Sequence, residues 1–339
     1  MISNLTIKNF KSVVDVSLPL GRFNLLIGAN GCGKSNILEG IAMGAAASSD
    51  KLDYEYFANR GIRIVHPQYM LPAFDDIDAE EIHLSFKNDH VLAYNIYYNH
   101  NGKPARWMVK ERTGETDIPG LGQFLIYSLE ESKLRKADDS NRTYPMGLHG
   151  EGLFAYLKEL AQRPNAMDIF NEIKDYLKVL DWFDDMQVPS GQLSSEFNLK
   201  LKDNYLAETL NIFDQRSTNE GFLYLLFYFT LVISDETPRF FAIENIDTAF
   251  NPKLCREVIK RLVALAKKHG KQIIATTHNP AILDGLDLRD DEQKLMVVQR
   301  SIDGYTKVRT LKKEEVVNSD LTLSQLWLRG FIGGLPNNF

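Results

Sequence analysis

An α/β fold interrupted by an inserted α+β lobe is what this 339-residue sequence predicts, on three observations. The apolar run Phe23-Asn24-Leu25-Leu26-Ile27 ends in a glycine-rich turn, Gly28 to Ser35, and Ile37, Leu38, Ile41 and Met43 then follow at helical spacing. Strand and helix patterns alternate again from Phe222 onward. Between about Asp50 and Arg216 that rhythm is lost.

Taken in order, Leu5, Ile7 and Phe10 mark a first strand, residues 13–18 a second, and residues 23–27 the strand that feeds the turn. The helix after Ser35 runs into the Ala/Ser tract near residues 45–49. In the middle, residues 82–86, 93–98 and 105–109 read as a small antiparallel sheet, with Asn99-His100-Asn101-Gly102 as its hairpin turn. Leu153, Tyr156, Leu157 and Leu160, then Ile169, Phe170, Ile173 and Leu177, give two helices. A helix at 222–233, a strand at 240–243, a helix at 254–268 and a strand at 272–276 restore the alternation. Two strands at 294–299 and 306–310, joined through Asp303-Gly304, and a helix holding Leu323, Leu326 and Trp327 close the chain. The expected domains are therefore 1–49, an inserted lobe at 50–216 and 217–339.

Composition narrows the function classes. Apolar residues make up 44% and charged residues 25%, values of an ordinary folded protein. A net charge of −6 offers no general attraction to nucleic acid, although a local basic patch is compatible with it. Two cysteines, Cys32 and Cys255, are too few for a disulfide framework, and a cytoplasmic setting is expected. The most apolar window, residues 222–234, is too short to span a bilayer, so no membrane association is expected.

The turn itself reads Gly28-Ala29-Asn30-Gly31-Cys32-Gly33-Lys34-Ser35, which satisfies every fixed position of a P-loop between a strand and a helix. Phosphates carry concentrated negative charge, and glycines let backbone N–H groups approach them unobstructed. Asn30, Gly31, Cys32, Gly33, Lys34, Ser35 and Asn36 are thus the candidate nucleotide-binding residues. Lys34 supplies a point charge to the β/γ-phosphates, and the Ser35 hydroxyl is a Mg²⁺ ligand at the helix start.

With Asn9-Phe10-Lys11-Ser12 before it and Asn36-Ile37-Leu38 after it, this segment resembles the start of RecF/SMC/OLD-type ABC ATPases, stand-alone members of which serve as ATP-binding subunits in prokaryotic defence systems. The resemblance implies an ABC-type ATPase head with a mixed sheet, ATP and Mg²⁺ as cofactors, and four further elements. Thr277-His278-Asn279-Pro280 is similar to the switch segment, with His278 on the γ-phosphate. Phe240 to Ile243 stands for the Walker B strand, Thr248 to Asn251 for the D-loop, and Ser217-Thr218-Asn219-Glu220-Gly221 for the signature loop that would grip a second subunit's nucleotide, with Ser217, Glu220 and Gly221 as contacts. Ser190-Gly191-Gln192-Leu193-Ser194 looks closer to a signature but is followed by a strand pattern, so it is set aside. Glu130 or Glu131 is the nearest candidate for the glutamine-loop position, and Gly147 to Leu153 resembles an architectural segment of the family's lobe.

The acidic pair departs from the family. Its Mg²⁺-orienting Asp aligns with Glu244, and its water-activating Glu aligns with Asn245, which cannot accept a proton. Weak hydrolysis is therefore expected, with Glu244, Asn245 and His278 as the catalytic set and Ser35 and Glu244 as the metal set. Either Glu244 or Asp247 could substitute for the missing base. The resemblance implies a homodimer or higher homo-oligomer formed through the ATP sites, controlling a separately encoded effector such as an antiphage nuclease. The alternative is a DNA-repair ATPase acting on DNA, in which Lys103, Arg106, Lys110, Arg112, Lys133, Arg135 and Lys136 meet phosphates.

Overall fold

The computed structural model describes residues 1–114, 117–136, 143–188, 199–207, 212–317 and 320–335. The strands are β1 (Asn4–Phe10), β2 (Val13–Pro19), β3 (Phe23–Ile27), β4 (Glu81–Lys87), β5 (Val91–Asn99), β6 (Arg106–Thr113), β7 (Ile126–Tyr127), β8 (Phe183–Gln187), β9 (Lys200–Asp203), β10 (Ile212–Asp214), β11 (Phe240–Ile243), β12 (Gln272–Thr276), β13 (Gln293–Arg300) and β14 (Thr306–Thr310). The helices are α1 (Lys34–Ser48), α2 (Tyr54–Ala58), α3 (Glu131–Leu134), α4 (Leu153–Leu160), α5 (Ala166–Leu177), α6 (Glu220–Ile233), α7 (Pro252–Lys268), α8 (Pro280–Leu283), α9 (Glu314–Val317) and α10 (Leu323–Leu328). The mixed α/β class is as the sequence predicts.

Two compact units result: one of residues 1–126, 238–247 and 272–339, the other of residues 127–237 and 248–271. This division differs from the expected boundaries at 49/50 and 216/217. The reason is strand pairing. β4 lies antiparallel to β1, with Ile7 opposite Leu84, so the expected small sheet of the middle lobe is continuous with the N-terminal strands in the order β2-β1-β4-β5-β6.

In the first unit that antiparallel sheet shares a core with a six-stranded mixed sheet of order β14-β13-β3-β12-β11-β7. Helix α1 is buried nearly all round, with Ile37, Leu38, Ile41 and Met43 in the core, as a helix between two layers must be. Gly40 and Gly44 let it sit close on the antiparallel sheet. A Cβ at Gly40 would fall 2.9 Å from Ile7, and one at Gly44 2.3 Å from Phe86. Burying apolar surface on both faces is worth about 25 cal/mol per Å², and it anchors the helix that carries Lys34 at its first position.

In the second unit α6 is the central helix, with residues 222–233 all buried, and it packs against α5 and α7. Helix α7 is amphipathic, burying Cys255, Val258, Ile259 and Leu262. The buried Lys271 ammonium donates to the carbonyls of Ser234 and Thr237 at 2.7 and 2.9 Å, closing the segment after α6. A short antiparallel sheet, β10-β9-β8, completes the unit.

Candidate functional site

β3, β12 and β11 run parallel, and Leu25, Ala275 and Ile243 fall in one row across them. Their carboxyl ends therefore open on one edge, the place where α/β sheets hold ligands. β3 delivers the P-loop there, β12 delivers Thr277 and His278, and β11 delivers Glu244 and Asn245. Sequence separation disappears because the register is fixed by the buried, near-continuous apolar strands.

Within the loop, Gly28, Gly31 and Gly33 have φ of 150°, 72° and 109°. Glycine is required at two of them for room as well. A Cβ on Gly28 would lie 2.1 Å from the Val298 carbonyl oxygen, and one on Gly33 2.0 Å from Thr306 Oγ1. Lys34 Nζ donates to the carbonyls of Gly28 and Ala29 at 2.8 and 3.0 Å and approaches Cys32 Sγ at 3.7 Å. Burial pushes the Lys34 ammonium below the usual lysine range, with Cys32 and Glu244 acting in the opposite sense. A buried cation resting on carbonyls gains by exchanging them for phosphate oxygens.

Burial, then the neighbouring Lys34, hold the His278 imidazole below its ordinary pKa; Asp247 and a hydrogen bond to the backbone of Gly28 oppose this. His278 thus meets the P-loop. Asp247 Oδ1 accepts from Thr277 Oγ1 at 2.6 Å, and the Asn245 backbone N–H donates to Thr276 Oγ1 at 3.0 Å. Asn245 is exposed and sits at φ 50°, a left-handed conformation that asparagine tolerates better than glutamate. Ser35, at the second position of α1, and Glu244 would offer a metal ion oxygen ligands only. That donor set fits Mg²⁺, which takes one or two protein oxygens and completes its shell with phosphate and water. Among the described residues no group of three or more His, Cys, Asp or Glu is placed to hold a metal ion by itself.

A cavity of about 400 Å³ adjoins the loop, lined by Ser12, Asn36, Arg63, Phe74 and Arg300. The Asn36 side chain faces it, donating to Ser12 Oγ at 2.7 Å and accepting from Arg63 at 3.0 Å. The buried Glu39 carboxylate accepts from both Lys11 and Arg63. Sequence reasoning singled out Lys11 and Ser12 only as part of a longer resemblance and missed Glu39, Arg63, Arg300 and Thr306. For the last two the only local signal is the Asp303-Gly304 turn.

The second unit holds the signature candidates. Asn219 caps α6, its Oδ1 accepting from the Phe222 amide at 2.9 Å, and Glu220 and Gly221 form the first turn. Ser217 Oγ donates to Asp214 at 3.4 Å. Gly221 abuts the segment expected to be the D-loop: a Cβ there would stand 3.3 Å from the Ala249 carbonyl oxygen. Arg135 donates to the carbonyls of Gln215, Arg216 and Thr218 at 3.2, 3.1 and 3.0 Å, and is itself held by Glu131. Arg135 therefore staples the segment expected to be the signature loop rather than facing outward as a phosphate contact, and Glu131 serves that staple. Of the other basic residues named above, Lys110 pairs with Glu81 and Arg112 with Asp117. The Ser190 to Ser194 segment lies outside the described residues.

Fold and loop together define a P-loop ATPase with the head architecture of the SMC group. The chain belongs to the AAA ATPase domain family, whose pattern matches residues 1–221. A crystal structure of an Smc head bound to the C-terminal winged-helix domain of ScpA superposes at a TM-score of 0.60 with 16% identity, over 94% of this chain and 99% of that one. The Smc head with an extended coiled coil, bound to the C-terminal domain of ScpA from Pyrococcus furiosus, gives 0.61 at 14% identity, over 93% and 97%. The SMC head domain from Thermotoga maritima gives 0.54 at 14%, over 92% and 99%. No curated protein sequence matches the chain. Among the described residues no helix is long and apolar enough to cross a membrane.

Proposed function

We propose that the chain binds ATP with Mg²⁺ at the P-loop edge of the first unit and closes with a second copy around the nucleotide. The observation that carries this is the meeting of Lys34, Glu244 and His278 at the ends of three parallel strands. The triphosphate lies along Gly31 to Ser35, and the nucleoside occupies the cavity between Asn36, Arg63 and Arg300. When bound, Mg²⁺ neutralises phosphate charge, with Ser35 and Glu244 as its protein ligands. His278, neutral near pH 7, donates a hydrogen bond to the terminal phosphate. Ser217, Glu220 and Gly221 offer the N-terminus of α6 to the nucleotide of the other copy.

Hydrolysis is slow in this reading because Asn245 can orient a water but cannot take its proton. ATP then acts as a clamp that controls a separately encoded effector in the cytoplasm. Binding of ScpA domains by the similar Smc heads supports a partner protein. That the partner is a nuclease of antiphage defence rests on the family resemblance alone. The DNA-repair reading draws no support from Lys110, Arg112 or Arg135, which are engaged within the protein.

The test is calorimetric titration with ATP and Mg²⁺, alongside the mass of the complex in solution. Wild type binds ATP and doubles in mass, and Lys34→Ala weakens binding about 100-fold or more, the loss of two charge-assisted contacts. Equal affinity in the variant refutes the site.

A further inference from the structure

We infer that Thr306, seconded by Arg300, is a positioning residue that turns the P-loop's N–H groups toward an anion. The inference rests on the nucleotide reading above. Across a trans peptide, the carbonyl of one residue and the N–H of the next point in opposite directions. A carbonyl tied on the outer side of the loop therefore sends the following N–H inward. Arg300 Nε donates to the Gly31 carbonyl at 2.9 Å, which fixes the Cys32 N–H, and Thr306 Oγ1 donates to the Cys32 carbonyl at 3.0 Å, which fixes the Gly33 N–H. The Cys32 N–H reaches Ala29 O at 3.4 Å, a long contact that a phosphate oxygen displaces.

Both residues come from the β13–β14 hairpin, which is moulded to the loop. Val298 O fills the space a side chain at Gly28 would need, and Thr306 fills that at Gly33. Thr306 is fully buried and its amide donates to Ser12 O at 2.8 Å, so its hydroxyl has one orientation to offer.

The donors behind it form a chain of one sense. Thr306 spends its single hydroxyl proton on Cys32 O, so in its 2.7 Å contact with Ser12 it is Ser12 Oγ that donates. Ser12 Oγ in turn accepts from Asn36 Nδ2 at 2.7 Å, and Asn36 Oδ1 accepts from Arg63 at 3.0 Å. A guanidinium at the rim of the nucleoside cavity thus polarises a relay that ends on a P-loop carbonyl. Residues from four separate stretches of sequence are joined in it, and each intermediate group both accepts and donates.

The experiment compares Thr306→Val, which keeps the shape and deletes the donor, with Thr306→Ser, which restores it. ATP and inorganic tripolyphosphate, which has no nucleoside, are titrated by calorimetry, and unliganded thermal unfolding is recorded. Loss of the Val variant's affinity for both ligands by about tenfold, with the Ser variant within about twofold of wild type, is expected. A Val variant that binds tripolyphosphate as wild type does, or a Ser variant that loses as much as Val, overturns the inference while leaving the nucleotide site standing. A wild type that binds neither ligand overturns both. If the Val variant does not fold, Arg300→Ala, at an exposed position, carries the test: about tenfold weaker binding of both ligands is expected, and unchanged affinity refutes the role.

Discussion

The P-loop edge of the first unit and the segment Ser217 to Gly221 of the second, both assigned to phosphate in the proposed function, are held in different ways. The first has a cation, Lys34, and is framed by three parallel strand ends and a hairpin that ties its outer carbonyls. The second has backbone donors at the start of α6, and Arg135 spends its guanidinium on the loop's carbonyls. In the proposed function the first region binds the polyanion of its own copy through Lys34, and the second offers backbone donors to the nucleotide of another copy. Under the proposed function the loop of Lys34 therefore sets affinity and the loop of Gly221 responds to a second copy's nucleotide, and the two can be separated by experiment.

The largest effect expected lies at the catalytic end of the first region. Asn245→Glu supplies the carboxylate that a general base needs, a contribution of about 10²- to 10⁴-fold in rate. It does so at a left-handed position, where a non-glycine, non-asparagine residue costs about 1–2 kcal/mol. Steady-state phosphate release and thermal unfolding should therefore move in opposite senses, faster turnover with a lower melting temperature. Turnover that stays at the wild-type level would show that the amide is not what holds hydrolysis back.

Arg135→Ala probes the second region. It removes three hydrogen bonds to carbonyls without touching the P-loop, so ATP affinity of the single chain should stay within about twofold while ATP-dependent doubling of mass weakens about tenfold. Sedimentation at graded protein concentration reads the second quantity and calorimetry the first. A fall in both together would erase the distinction between the two loops.

Much of this was readable before the structure, and the limits follow from range. The strand before Gly28, the helix after Ser35 and the order of β11, α7 and β12 are written in runs of a few residues, so local periodicity finds them. The joining of β4 to β1 is not, because antiparallel pairing is a long-range choice made by which faces are apolar, and that shifted the unit boundary from residue 50 to residue 126. Lys34 announced itself by the spacing of the glycine-rich turn, whereas Glu244 and His278 were singled out only through the family resemblance. Thr306 could not: a threonine in a strand is common, and only its register against Gly33 gives it a role. Arg135 was read as one charge among several because its partners lie 80 or more residues away.

The smallest effect expected is a pH dependence carried by His278. In the unliganded protein its pKa lies below the ordinary 6.5, from burial and the proximity of Lys34, so the ring is neutral at pH 7 and is protonated only further into acid. For stability the sign is direct: a histidine with a lowered folded pKa leaves the unfolded chain binding more protons, so stability is lost as pH falls through 6.5 toward the folded value. For binding it reverses. A terminal phosphate beside the ring raises its pKa, the bound state takes up protons, and ATP affinity should rise as pH falls through that same window. ATP's own terminal phosphate titrates nearby, so the quantity to read is the difference between wild type and His278→Gln in calorimetric affinity at pH 6.0 and 7.5. A shift of about two- to threefold in the wild type that the Gln variant lacks is expected. Identical pH profiles for the two would place the imidazole away from the phosphate and break the link between β12 and the P-loop on which the first region's completeness depends.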